Sequence, residues 1–310
     1  EISLHSIYFL MNLTTAIDTK TTFRRVISDF KQLAKVGLSL SVVFSSVAGY
    51  LLAVDIINYQ TLFLLSLGGF LMVAASNAFN QVIEKDTDSL MKRTMSRPLP
   101  TGRMTKTTAI IFAITSTIVG LGILYGINPK SALFGAISIF LYTCAYTPLK
   151  PVSPLAVFVG AIPGAIPFML GWVAATNQFG IEAGFLFMIQ FFWQFPHFWS
   201  IGWLQFEEYK KAGFIMLPMD KKDESATKQI IFYTVIMILV SILPVFKLTG
   251  AFYIHPITAI IIALLGLSML YYGVLLHKKQ TNIEARKLML SSVIYITMIQ
   301  IIYVIDKFLH

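Results

Sequence analysis

In the segment "NAFNQVIEKDTDSLMKRTMSRPLPTG", residues 77 to 102, amides, carboxylates and arginines crowd together directly after the apolar run "TLFLLSLGGFLMVAAS". Continued as a helix at about 100° per residue, the segment sets Asn80, Glu84 and Asp88 at about −60°, −20° and +20° from Asn77. Four oxygen-bearing side chains thus share one face, while Asp86 lies on the opposite face as an ordinary solvated charge. Left bare, Glu84 and Asp88 repel each other at i, i+4. A divalent cation turns that repulsion into attraction. Mg2+ in particular takes one or two protein carboxylates and completes its shell with water and phosphate oxygens. Downstream, Arg93 and Arg97 offer planar forks that grip phosphate bidentately. Metal and arginines at the mouth of an apolar segment read as a site for a diphosphate joined to a hydrophobic chain. Taken singly, each residue also fits a plain membrane-surface loop with basic charge and helix-end carboxylates.

A second polar face follows in "FFWQFPHFWSIGWLQFEEYKKAGFIMLP". Relative to Gln194, His197 falls at about −60°, Gln205 at about +20° and Glu208 at about −40°, whereas Glu207 points about 140° away. Pro196 predicts a kink with freed backbone carbonyls. Ionisable groups inside a span are costly and usually face the bundle interior, which makes His197 a site candidate. A neutral imidazole can ligate a metal ion, bond a polar group, or move a proton. A satisfied interior histidine without substrate is the plain alternative. The aromatic run from Phe191 to Trp203, which includes Trp199, fits either the lining of a flat or chain-like ligand slot or an interfacial belt. His5, His255, His277 and His310 sit at span ends or termini and carry no assigned chemistry.

The elements that must position these groups are membrane spans. The chain has 310 residues, of which 56% are hydrophobic and only 13% charged, against roughly 25% charged in soluble domains. Mean hydropathy is +0.73. Apolar stretches predict an all-α polytopic membrane protein with nine spans, near 33–56, 61–84, 106–126, 130–147, 153–175, 181–206, 226–247, 254–277 and 285–307, around a central cavity. With alternate loops on alternate sides, all but Lys130, Lys247 and Lys307 of the 24 Lys and Arg residues fall on one side. The positive-inside rule then puts the N-terminus and the 85–106 loop in the cytoplasm. The net charge of +9 is accordingly read as membrane topology and not as a nucleic-acid surface. The single Cys144 excludes a disulfide framework and a thiolate zinc site. The expected organisation is a cytoplasmic tail over 1–32 and one transmembrane domain over 33–310. The patch "EISLHSIYFLMNL" is too short to span and has no cleavage signal, and Met11 is the expected natural start. In the fifth span, "GAIPGAIPFMLGW" combines small residues with Pro163 and Pro167, which predicts close helix contact and a bend.

Asn80-x3-Glu84-x3-Asp88 resembles the Asn-x3-Asp-x3-Asp motif of the UbiA-type intramembrane prenyltransferases, and "MKRTMSRPLPTGRM" is similar to that family's haem O synthase branch. The resemblance runs from about residue 30 to the C-terminus, and nine spans is the family's number. It implies farnesyl diphosphate and haem b as substrates, Mg2+ assistance, and a bacterial inner-membrane location. It also implies a product passed to a haem A synthase or a terminal oxidase assembly. By the same resemblance, Tyr146 and Lys150 in "YTPLK" help hold the diphosphate; Lys150, the only charge in its short loop, also fits a plain topological anchor. Asn80, Glu84, Asp88 and His197 become the expected catalytic groups. Asn77, Asn80, Glu84, Asp88 and Glu208 become the expected metal ligands, and His197 and Trp199 the expected haem contacts. The sequence departs from the quinone-prenylating relatives, which carry a second Asp-rich motif where this chain has "PHFW" and "EEYKK"; whether a second metal binds is thereby open. Two other readings stand beside this one: prenylation of an aromatic quinone or chlorin precursor, and a transporter with intramembrane carboxylates. A haem-handling scaffold would leave Glu84, Asp88, Arg93 and Arg97 without work.

Overall fold

The computed structural model describes residues 23–310, so the N-terminal patch and Met11 lie outside the described residues. Residues 23–33 are helical. After them come nine long helices among the described residues, labelled here α1 (Val36–Ala53), α2 (Tyr59–Ile83), α3 (Lys106–Ile127), α4 (Pro129–Leu149), α5 (Leu155–Thr176), α6 (Ile181–Leu204), α7 (Glu224–Phe246), α8 (Pro256–Lys279) and α9 (Asn282–Leu309). The boundaries lie close to the nine expected spans. Eight of these helices are long and apolar enough to cross a bilayer. The exception is α6, whose 24 residues are long enough at about 1.5 Å each but include Gln190, Gln194, Pro196 and His197. Its polarity is a property of the interior, not of a surface helix, since Gln190 and Gln194 are both buried.

Local signals account for the helix ends. Asn58, Thr105, Asn128, Asp223 and Thr281 each accept a bond from a backbone N–H in the first turn of the helix they precede, which satisfies a donor that the helix itself leaves unpaired. Asn177, Lys247 and Gln280 close α5, α7 and α8 in left-handed conformations. Helices also meet where side chains vanish. A Cβ on Gly49 of α1 would stand 2.0 Å from the Phe168 carbonyl oxygen, and one on Gly171 of α5 the same distance from that of Ser46. Only glycine allows these two backbones to touch. The bend in α5 is supported from outside: Pro167 cannot bond the carbonyl of Pro163, and Ser138 Oγ of α4 donates to that oxygen at 3.3 Å.

Outward faces stay apolar, with Leu38, Phe44, Ile118, Leu239 and Leu264 exposed, as lipid-facing helices require. Inside, Gln300 Nε2 of α9 donates to Ser45 Oγ of α1 and to Gln190 Oε1 of α6, each at 3.1 Å. At one end of the bundle α2, α4, α6 and α8 finish and the next helices begin. Bonds cross between those loops: Lys92 N to Glu208 Oε2 at 2.6 Å, Ile215 N to the Lys150 carbonyl at 2.8 Å, and Lys222 Nζ to Asn282 Oδ1 at 3.1 Å. The first polar cluster, Glu208 of the second and most of the basic residues meet at this end.

Candidate active site

The first cluster is built where α2 stops. The helix does not run unbroken through residue 88 as the spacing predicts. Glu84 leaves helical geometry at φ −90° and ψ 11°, and a separate turn, Lys85–Asp88, follows. The register survives the break because Asp88 N still donates to the Glu84 carbonyl at 2.7 Å. Asn77, Asn80, Glu84 and Asp88 are consequently all buried, at 2%, 2%, 7% and 1% exposure.

Each carboxylate meets a cation from a different segment. Lys150 Nζ lies 2.6 Å from Glu84 Oε1, and Arg97 Nη1 lies 2.6 Å from Asp88 Oδ2. Arg97 is presented by a tight loop in which Thr94 Oγ1 donates to the Asp88 carbonyl at 2.8 Å. Lys150 is presented by the end of α4, which widens to a π-helical stretch at Leu141–Tyr146, a distortion common at functional sites. Tyr146 lies under the ammonium, 4.5 Å from ring centre to Nζ. Gly160 makes room for that ring, since a Cβ there would come within 2.6 Å of it. Asn80 Nδ2 donates to Thr147 Oγ1 at 3.3 Å. Asn77 turns its amide to the Ala34 carbonyl at 3.4 Å, toward the segment that precedes α1.

That segment contributes a cation that the sequence pattern did not single out. Lys35 stands in a left-handed conformation directly before α1. Burial, then the nearby charges of Arg97 and Lys150, draw its ammonium down to about 7, with Glu84 and Asp88 opposing. Burial likewise pushes the Asp88 carboxyl above the usual carboxylate range, with Arg97 opposing. Lys35, Lys31, Arg93 and Arg97 line an open cleft of about 530 Å3, whose apolar side is Val36, Gly37 and Leu38. Arg93 is exposed on this cleft, without the buried pairing of Arg97.

The donor set fits a hard divalent ion. Asp88 Oδ1 is buried without a hydrogen-bond partner, an unusual cost for a native carboxylate oxygen. Among the described residues no three His, Cys, Asp or Glu side chains form a metal cage. Two carboxylates with neighbouring amide oxygens instead match the habit of Mg2+, which takes one or two protein carboxylates and completes its shell with water and phosphate oxygens.

The other expected residues sit apart. Glu208 accepts from Lys92 N at 2.6 Å and from Lys211 Nζ at 2.9 Å, which holds its carboxyl below the usual range. It ties the 85–105 loop to the helix Phe206–Lys211. His197 faces α9, with Nδ1 2.8 Å from Ser292 Oγ. Trp199 packs into an aromatic cluster with Phe195 at 5.3 Å and Tyr233 at 5.2 Å between ring centres.

Nine long helices among the described residues carry paired carboxylates and cations at one end, an arrangement suited to an intramembrane enzyme. Residues 42–298 match the UbiA prenyltransferase family, and the chain belongs to that family. The protoheme IX farnesyltransferase of Flavobacterium psychrophilum is 59% identical over 299 residues, covering 96% of this chain and 100% of that relative. Among solved structures, one of a digeranylgeranylglyceryl phosphate synthase superposes with a TM-score of 0.77 at 20% identity, over 92% of this chain and 99% of that one. A UbiA homolog from Archaeoglobus fulgidus bound to DMAPP and Mg2+ gives 0.64 at 16% identity, over 90% and 99%. At these identities the solved structures establish the fold. The family assignment removes the transporter and scaffold readings.

Proposed function

We propose that this protein transfers the farnesyl group of farnesyl diphosphate to a vinyl group of haem b (protohaem IX), releasing diphosphate and giving haem O after addition of water. The observation that carries the diphosphate half is the pairing of the buried Glu84 and Asp88 with Lys150 and Arg97, beside a cleft that Lys35 lines with Arg93 and Arg97. The haem half rests on the 59% identity to a protoheme IX farnesyltransferase; the quinone alternative has no comparable support.

Glu84, Asp88 and Asn80 would hold Mg2+, with Asn77 adjusting the same helix face. The ion supplies positive charge to the departing diphosphate. Lys150 and Arg97 now neutralise the two carboxylates. Lys150 and Arg97, the present partners of Glu84 and Asp88, are the cations that would turn to phosphate oxygens with those carboxylates engaged by the ion, with Lys35, Arg93 and Tyr146 beside them. Fixed cations at a leaving group lower the barrier because they stabilise charge that grows as the C–O bond breaks. The self-paired state of the cluster therefore makes metal and diphosphate binding mutually reinforcing. The allylic carbon, as a carbocation, is attacked by the vinyl group of haem, and water adds to the resulting cation as a hydroxyl. The apolar bundle keeps water from the first cation.

In this reading the protein lies in the bacterial inner membrane with the cluster on the cytoplasmic side. Residues 1–32 form the cytoplasmic segment ahead of one transmembrane domain, and the product passes to a haem A synthase or terminal oxidase assembly. The test is incubation of the purified protein with haem b, farnesyl diphosphate and Mg2+, followed by mass analysis of the porphyrin. Gain of one farnesyl group and one hydroxyl is expected. An unmodified porphyrin alongside a prenylated quinone precursor would reverse the substrate assignment.

A further inference from the structure

His197 is constrained more tightly than a packed interior histidine needs to be. Its ring stacks on Trp193, with centroids 4.6 Å apart and planes at 17°. Trp193 Nε1 donates to the Ser292 carbonyl at 2.7 Å, and His197 Nδ1 lies 2.8 Å from the Ser292 hydroxyl. One residue of α9 thus fixes both rings.

The hydroxyl also decides the tautomer. Ser292 Oγ stands 2.6 Å from the Met289 carbonyl, one turn back in its own helix. A carbonyl can only accept, so the single hydroxyl proton goes there. The oxygen must then accept from the imidazole, which places a proton on Nδ1, so that the neutral ring carries its lone pair on Nε2. Nε2 has no partner among the described residues and is not an enclosed, orphaned atom. With the proton on Nδ1, Nε2 offers nothing to a propionate, which needs a donor. It offers a lone pair, beside the apolar faces of Trp193 and Phe198, whose ring centre is 5.7 Å from that of His197.

We infer that Ser292 is a positioning residue that locks His197 in the Nδ1–H tautomer so that Nε2 ligates the iron of the porphyrin substrate. This rests on the haem half of the proposed function. It adds that the porphyrin is held through its iron, leaving the vinyl edge free to meet the farnesyl chain, and that α9 takes part through a residue touching no substrate. Partner groups that orient a ligating histidine are typically worth about 10–100-fold in metal affinity.

The test is titration of the purified full chain with ferric haem b, followed by optical absorption and electron paramagnetic resonance. Wild type should show an imidazole-ligated haem. His197→Ala should lose that signature and regain it with added imidazole, and His197→Gln, which keeps more of the volume, should lose it as well. Ser292→Ala should bind haem about tenfold more weakly with an altered spectrum, and Ser292→Thr should restore both. Farnesyl diphosphate binding with Mg2+ should be the same in all of them. A Ser292→Ala protein with wild-type affinity and spectrum, or a His197 variant that keeps the imidazole signature, overturns the inference while leaving the transfer reaction standing. Wild type that binds no haem overturns the substrate assignment, and this inference with it.

Discussion

Two polar regions of the bundle are built on opposite principles. Around Glu84 and Asp88 the chain gathers full charges and cancels them internally, two carboxylates against Lys150 and Arg97. Around His197 it uses no formal charge: a hydroxyl, an indole N–H and a neutral ring hold each other in place. Buried ion pairs are poor stabilisers, because the desolvation of both charges offsets their attraction. Paying that cost makes sense where the pairs must later exchange partners with a cation and a polyanion. A neutral, rigid arrangement suits a flat, largely apolar ligand that needs one bond in a defined direction. The contrast separates a region that trades charge from one that keeps geometry.

The largest effect should come from removing the acidic half of the first region. Glu84→Ala and Asp88→Ala should each lower Mg2+-dependent farnesyl transfer by about 10^2–10^3-fold or more, while haem binding, read by absorption, stays as in wild type. Equal losses of haem binding would erase the division between the regions.

Next is the pairing itself. Lys150→Met leaves the buried Glu84 without its partner and should cost about 3–5 kcal/mol, whereas the double change with Glu84→Gln should recover most of that stability. Thermal unfolding in detergent checks the recovery, and the double variant should remain inactive. Recovery of stability without activity is the signature of charges kept for function.

A smaller effect concerns Lys35, whose ammonium feels the charges of Arg97 in the loop after α2, of Lys150 at the end of α4, and of Glu84 and Asp88 just beyond α2. With its ammonium drawn down to about 7, Lys35 loses its proton as pH rises through that value. The KM for farnesyl diphosphate should therefore rise from pH 6 to 8 in wild type. Lys35→Arg, always protonated, should flatten that rise, and steady-state kinetics at fixed Mg2+ decide the matter. Least affected should be Glu208→Gln. Its carboxylate serves Lys92 N and Lys211, so the Mg2+ dependence of the rate should not move; a change there would make Glu208 a metal ligand.

Much of this was legible along the chain because membrane spans and helical faces are local patterns. The nine helices and the burial of Asn77, Asn80, Glu84 and Asp88 on one face follow from hydropathy and a period of about 3.6 residues. What escaped depends on which helices become neighbours. Lys35 reads as one more basic residue beside a span, and only the fold brings it to Glu84 and Asp88. Ser292 is an ordinary serine in an apolar helix until α6 sets His197 and Trp193 against it. The break at Glu84 escaped too, because helical phase does not reveal a one-residue departure that keeps the Asp88 to Glu84 backbone bond. Apolarity alone also undervalues α6, whose polar residues face inward and not toward lipid.

The central claim is that Glu84 and Asp88 give up their cations to a diphosphate when a divalent ion arrives. Calorimetric titration of the purified protein with farnesyl diphosphate, with and without Mg2+, tests it most directly. Wild type should bind markedly more tightly with Mg2+, and the Glu84→Gln/Asp88→Asn protein should show no difference between the two conditions. Equal affinity with and without the ion in wild type, or an undiminished Mg2+ effect in the variant, would contradict the account.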